Sequence, residues 1–287
     1  MFSEPDIQVS YHPLFGSPDA DVVFRSSEGT YYRLHSFVLR TTSGFFRSML
    51  SLSGSGSSPD LSSDASPIGL EEKDGVLARF FTMISGMEIP QWDTLDEIED
   101  VLHAAEKYDT PGPISIIRSA ITSPRFMLDP LRVYAIAARY KWEEVLQHAA
   151  EACLAIPIHQ QEYIPVLKRI PTDDLLRLID LRRERRDAFI HAIDNEVQFT
   201  SGCSRDKCAC GRTTDHHPWY ALKLSVYMEM DERPIVRNMN DLDWEVAKKC
   251  WSHKCTYCGR LVYNQIATME CIRPCVDGLP LQLRPRI

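Results

Sequence analysis

At 287 residues, with 44% hydrophobic and 25% charged content, the chain has an ordinary globular composition and enough length for two or three modules, each with its own core. Its net charge of −8, from 32 Lys and Arg against 40 Asp and Glu, argues against broad binding to a phosphate backbone. No run approaches the roughly 18 consecutive apolar residues of a membrane span. The opening "MFSEPDIQVSYHPLF" has neither the basic nor the apolar region of a secretory signal. The expectation is an intracellular protein, in cytoplasm or nucleus, whose cysteines stay reduced.

Residues 21 to 26, "DVVFRS", and 30 to 34, "TYYRL", are β-branched and aromatic runs separated by "SEG". They read as the strands of a hairpin, with Gly29 free to take a positive φ in the turn. Ser36 is placed to cap a short helix through "FVLRTT", and Ser43 to cap a second, "GFFRSML", that buries Phe45, Phe46, Met49 and Leu50. The serine-dominated residues 51 to 66 carry too little apolar surface to offset their ordering entropy and read as a flexible insertion. "PIGL" reads as a short strand. In "DGVLARFFTMISGM", Val76, Leu77, Phe80, Phe81 and Ile84 form one helical stripe. "TLDEIEDVLHAAEKYD" has the strongest helical pattern, with Thr94 and Glu97 as a capping-box pair and Leu95, Ile98, Val101, Leu102, Ala105 and Tyr108 on one face. "TPGP" ends it, and "ISIIRSAI" forms a further short helix.

Asp129 followed by Pro130 is a sound helix start. "LRVYAIAARY" and "WEEVLQHAAEACLAI" read as an antiparallel helix pair, and a long helix opens at Thr172. The run "RRERR" within it spreads around the circumference among acidic neighbours, which predicts a solvated face rather than a nucleic-acid stripe. From about residue 200 cysteine, histidine and tryptophan rise together. "HPWYALKLSVYM" and "DLDWEVAKKCWS" read as short helices, the second capped by Asn240 or Asp241, and the tail "GLPLQLRPRI" shows no assignable period.

The N-terminal pattern resembles the BTB (POZ) domain, a protein–protein interaction fold, across residues 18 to 122. The resemblance is carried by "DADVVF" with Asp21, by "YYRLHSFVLRTTSGFFRSM" with His35, Leu39, Ser43, Phe46 and Met49, and by "VLHAAEKYD" with Ala105 and Tyr108. "DPLRVYAIAARYKWEEVLQHAAEACL" looks like the helical, BACK-like extension that often follows this domain, and the whole is most similar to the large group of fungal BTB proteins. The implied fold is an α+β BTB domain at 18–125 after an N-terminal segment 1–17. An all-α extension at 126–199 and a small Cys-rich module at 200–287 complete the chain.

The same resemblance makes Asp21, His35 and Ser43 parts of a structural joint, with the His35 ring packed beneath the first helix and hydrogen-bonded locally. It implies a homodimer through the N-terminal segment and first helices, where Phe37, Val38, Phe45, Phe46 and Met49 are the candidate surface. It also raises the role of substrate adaptor for a cullin-RING ubiquitin ligase. That role uses a hydrophobic-x-Glu element soon after the second helix. Here "LSLSGSGSS" follows Met49, and Leu70-Glu71-Glu72 fits the spacing only beyond the insertion.

Of nine cysteines, all but Cys153 lie between Cys203 and Cys275. "CSRDKCACGR" and "CWSHKCTYCGR" have ligand-like spacing. The second holds the Cys-x-x-Cys-Gly of a metal turn, in which two thiolates face one point and a glycine lets the chain fold back. The first has only Cys-x-Cys unless Cys203 pairs with Cys208, and the separation between the two is longer than in compact zinc fingers. The candidate ligands are Cys208, Cys210, Cys255 and Cys258 for a structural zinc ion. Cys203, His216, His217, Cys250 and His253 are alternates for a Cys₄ or Cys₃His set. Cys271 and Cys275 suit packing equally well. A phosphate loop, a nucleophile elbow and a paired catalytic motif are all missing from the sequence, so the expectation is a non-enzymatic interaction protein. The alternative is a BTB-type regulator whose metal-stabilised end binds DNA, although the mixed charges of that segment make nucleic acid the less favoured partner.

Overall fold

The computed structural model describes residues 10–52, 66–195, 199, 207–234 and 245–285. The chain divides into two compact units, Met1–Phe126 and Met127–Ile287.

In the first unit β1 (Val22–Arg25) pairs antiparallel with β2 (Tyr31–Leu34), and β3 (Ile68–Gly69) lies parallel on the other side of β1, giving the order β2-β1-β3. Alternation sends Val22 and Phe24 of β1, and Tyr32 and Leu34 of β2, into the core. Gly29 closes the hairpin at φ +96°. Helices α1 (Ser36–Thr42), α2 (Gly44–Leu52), α3 (Asp74–Ile84), α4 (Leu95–Lys107) and α5 (Pro111–Ala120) complete the mixed α+β unit in the order the sequence predicts. Helix α2 takes in the first two residues of the serine-rich stretch, and 53–65 lie outside the described residues.

The joint between β2 and α1 differs from expectation. His35 is the N-cap residue but supplies no side-chain cap, and its ring is exposed rather than packed under the helix. The cap comes instead from Asp21, fifteen residues upstream: its carboxylate accepts the Ser36 N–H at 2.7 Å and the Ser36 hydroxyl at 2.5 Å. Partial burial opposes ionisation of Asp21, but these bonds and the nearby His35 outweigh it and hold the carboxyl below its ordinary range. Ser36 is thus the first helical residue, not the cap, because a remote carboxylate already satisfies the helix start.

Ser43 does cap. Its buried hydroxyl accepts the Phe46 N–H at 3.0 Å and donates to Tyr108 O at 2.6 Å, tying α2 to the end of α4. The two ends are so close that a Cβ on Gly44 would lie 1.8 Å from Asp109 Oδ2. Phe46 stacks on Tyr108 with centroids 4.9 Å apart, and Phe24, Phe80 and Phe81 close an aromatic core around them. At the start of α4 the Thr94 hydroxyl accepts the Glu97 N–H, while Glu97 reaches back to the N–H of Asp93, one residue beyond the standard box.

Glu72 locks this core from outside. Its carboxylate accepts from Tyr108 at 2.6 Å and Lys107 at 2.8 Å. Burial pushes the Glu72 carboxyl up, but the Lys107 and Tyr108 bonds prevail and hold it below the usual carboxylate range. A depressed carboxyl contributes stability above its unfolded pKa and loses it as pH falls through the folded value. Acid titration of the unfolding temperature should therefore show a fall below the ordinary glutamate range that is shallower in Glu72→Gln, whose own stability at neutral pH is already reduced. Equal acid slopes would remove Glu72 from this role.

The second unit contains α6 (Pro130–Arg139), α7 (Glu143–Cys153), α8 (Ile164–Leu167), α9 (Thr172–Ile193), α10 (His217–Glu232), α11 (Glu245–Trp251) and α12 (Gln265–Asp277). Asp129 caps α6 through the Arg132 N–H, with Pro130 first in the helix. Asn240 and Asp241, the expected caps of α11, lie outside the described residues. Among the described residues, the helices before residue 200 and the cysteine-rich end belong to the same compact unit. Phe189 and Ile193 of α9 share one core with Trp219, Leu222 and Val226 of α10, Trp251 of α11 and Ile272 of α12. The helical stretch and the cysteine-rich end are thus joined by common apolar burial.

The arginine run corrects a second expectation. Arg182 and Arg185 are not solvated: they are 5% and 4% exposed. Arg182 donates to Cys153 O at 2.7 Å and to Glu232 O, the last carbonyls of α7 and α10. Helix C-termini carry unpaired carbonyls and partial negative charge, so one guanidinium satisfies two helix ends at once. Arg185 donates to Pro234 O at 2.8 Å and Pro280 O at 2.6 Å. The acidic neighbours do pair, but with Arg177, Arg186 and Arg284: Glu143 and Asp174 with the first, Asp187 and Asp231 with the second, and Glu184 with the third. Helical spacing gave the circumference correctly but not what lay opposite it.

The aperiodic tail is held by the same means. Gln147 of α7 donates to Leu281 O and accepts the Leu283 N–H, both at 2.8 Å, while Arg177 bonds Arg284 O. These bonds fix Leu279 and Leu283 in the core.

Candidate metal centre

Two tight turns bring four thiols together. In the first, Gly211 at φ +82° lets its N–H bond Cys208 O at 2.7 Å while the Cys208 N–H bonds Arg212 O at 3.0 Å. In the second, Gly259 at φ +70° bonds Cys255 O, and the Cys255 N–H bonds Arg260 O, each at 2.9 Å. Positive φ is what requires glycine at both places. Single bridges between Lys207 and Thr213 and between Lys254 and Leu261 make each turn a small hairpin. The shorter first spacing, Cys-x-Cys, still brings both of its sulfurs to the cluster.

The Sγ atoms of Cys208, Cys210, Cys255 and Cys258 all lie within 4.8 Å of one another. Cys208 and Cys258 approach to 3.4 Å, and Cys210 and Cys255 to 3.9 Å. Tetrahedral Zn–S bonds of about 2.3 Å place sulfurs roughly 3.8 Å apart, so the cluster could close on such an ion with separations changing by at most about 1 Å. Backbone N–H groups of Cys258 and Tyr257 face the Cys255 sulfur and hold that thiol down to about 6, favouring the thiolate that ligation needs. The Cys210 N–H draws Cys208 the same way, but the surrounding thiols, Cys258 first, leave it pushed up to about 12: without a cation, the group cannot shed all its protons.

Compared with protein-family models and with curated proteins, the chain finds no match.

The described alternates are not part of the four-thiol cluster. His216 is buried with Nδ1 3.0 Å from the Tyr263 hydroxyl, and Cys250 packs in the apolar core. His217 is exposed at the start of α10, and His253 lies beside the Tyr263 ring with centroids 6.2 Å apart. Cys203 lies outside the described residues. Cys275 is buried and donates to Cys271 O at 3.3 Å, which is helix packing, and Cys153 is buried beside Arg182. The sequence separation between the two turns, which argues against a compact site, is bridged by α10 and α11: Trp219, Leu222, Ala247 and Trp251 share one core and return the chain to its starting point.

In the first unit, the surface expected for pairing is only partly outside. Phe37 is 77% exposed and Phe45 45%, while Val38 and Met49 are partly buried. Phe46 is fully buried and belongs to the aromatic core, so it leaves the candidate surface. At the joint, the Ser36 hydroxyl donates directly to Asp21 with no imidazole between them, which is a cap and not a proton relay. Among the described residues no helix is long and apolar enough to cross a membrane.

Proposed function

We propose that the chain is a non-enzymatic interaction protein: residues 18–125 form a BTB-type platform that pairs with a second copy, and a structural zinc ion on Cys208, Cys210, Cys255 and Cys258 fastens the C-terminal unit. The observation that carries the pairing is the exposure of Phe37 and Phe45 on the consecutive helices α1 and α2, at the surface that the BTB resemblance assigns to self-association. The order of strands and helices around β2-β1-β3 supports the same reading. Four thiols complete a tetrahedron and leave no position for water, so the ion would supply a cross-link rather than a Lewis acid. The adaptor alternative is weakened because Glu72, the acidic residue it would use, is already bonded to Lys107 and Tyr108.

Sedimentation velocity tests the pairing. The wild-type chain should run as a dimer at micromolar concentration, and Phe37→Asp should weaken dimerisation by about 30-fold or more, the cost of an interface hot spot. Because Phe37 is exposed within its own chain, the variant's unfolding temperature measured on the monomer should be unchanged. A wild-type monomer at tens of micromolar, or a variant dimerising as tightly as wild type, would overturn the assignment.

A further inference from the structure

The two metal turns repeat one pattern. "KCACGR" at 207–212 and "KCTYCGR" at 254–260 each place a lysine before the first thiol and Gly-Arg after the second. Both turns close by the same hydrogen bond, from the first cysteine's N–H to the arginine carbonyl, so the cations sit at equivalent positions of two facing hairpins. Lys207, Arg212, Lys254 and Arg260 are all exposed. Arg212 reaches from one turn to the other, its guanidinium carbon 5.3 Å from the ring centroid of Tyr257, which is itself 68% exposed.

Residues 207–214 and 252–263 contain no carboxylate. Of the acidic residues nearest in sequence, Asp215 accepts the His217 N–H at 2.9 Å, and Asp206 lies outside the described residues. Glu229 and Asp231 are ion-paired with Arg233 and Arg186 near the far end of α10. The two turns themselves therefore carry cations and no carboxylate, with Asp215 at the edge of the first. A zinc ion with four thiolates carries a formal charge of about −2, which four cations more than offset. The result is a positive face on a chain of net charge −8.

We propose that this face binds single-stranded nucleic acid, the four cations meeting phosphates and Tyr257 stacking a base. Charge complementarity selects a polyanion, and the exposed ring beside an arginine selects one with aromatic faces over an acidic peptide. The helix that leads into the second turn, α11, has only seven residues, and its Lys249 pairs with Glu245, whereas a flexible single strand can follow two hairpin tips. The proposal goes beyond the pairing function and draws on the zinc reading for what holds the two turns together and for the charge at their centre.

The test is fluorescence anisotropy of the full chain with a labelled oligouridine of about 20 nucleotides, with bound zinc measured on the same samples. Four phosphate contacts at a log–log slope of about −0.7 each predict a roughly 50-fold loss of affinity between about 50 and about 200 mM salt. The double variant Arg212→Glu, Arg260→Glu keeps all four thiols, so its zinc content should hold while affinity falls by at least about tenfold. Tyr257→Ala should weaken binding about 5- to 100-fold at either salt concentration. A zinc-loaded wild-type chain that fails to bind at about 50 mM salt overturns the face and leaves the metal site standing. Binding indifferent to both variants also overturns it, as does displacement by polyglutamate with no effect of Tyr257→Ala, which would mark an acidic protein partner. A zinc-free chain that binds through the two arginines keeps the face and removes the metal from it; one that neither holds zinc nor binds overturns both.

Discussion

Changing Cys255 to serine is expected to strip the metal from the chain and to destabilise the C-terminal unit by at least about 3 kcal/mol. Zinc-finger peptides, which have no other core, draw roughly 10–16 kcal/mol from their ion at neutral pH. The loss here is smaller because Trp219, Leu222, Trp251 and Ile272 form an apolar core that does not depend on the ion. For a unit of this size it corresponds to a fall of about 6–12 °C in unfolding temperature. Cys271→Ser is the control, since Cys271 lies on α12 and outside the four-thiol cluster. Elemental analysis of purified protein checks the first half: one zinc per chain in wild type and Cys271→Ser, none in Cys255→Ser. Full zinc occupancy in Cys255→Ser would remove that residue from the ligand set.

The second large effect is at Arg182. A surface arginine replaced by alanine changes stability by less than about 0.5 kcal/mol. Arg182→Ala should cost about 2–4 kcal/mol, because the Glu232 carbonyl loses its side-chain donor, the Cys153 carbonyl keeps only a long bond from the Ile156 N–H, and the buried stem leaves a void. Arg182→Lys should recover little. A single ammonium cannot span carbonyls on α7 and α10 as the planar guanidinium does. The acceptors are carbonyls rather than carboxylates, so the loss should vary little with salt. Chemical denaturation of the three proteins at low and high salt measures all of this. A neutral Arg182→Ala would restore the solvated-face reading.

What the sequence disclosed and what it hid follow from range. Period-2 and period-3.6 apolar patterns and local caps such as Ser43 and Asp129 act within a few residues, and they placed the strands and helices well. The four cysteines were legible because a metal turn needs its thiols and glycine within one short segment. Interactions across distance were not. The cap on α1 comes from Asp21 rather than from Ser36 or His35, and nothing in "HSFVLRTT" carries that information. Buried Arg182 and Arg185 look like any exposed charge until the helix ends they satisfy are brought opposite. The tail lacked periodicity because Gln147 and Arg177, more than 100 residues upstream, hold its backbone in place of regular secondary structure. The repeated Lys-Cys and Cys-Gly-Arg signature was visible in the sequence, but its meaning required knowing that the two hairpins face each other.

The interaction-protein account stands most directly on native mass spectrometry of the intact chain at micromolar concentration. It predicts one dominant species at twice the chain mass plus two zinc ions, splitting under activation into monomers that each retain one. A spectrum dominated by a single chain free of metal would contradict it.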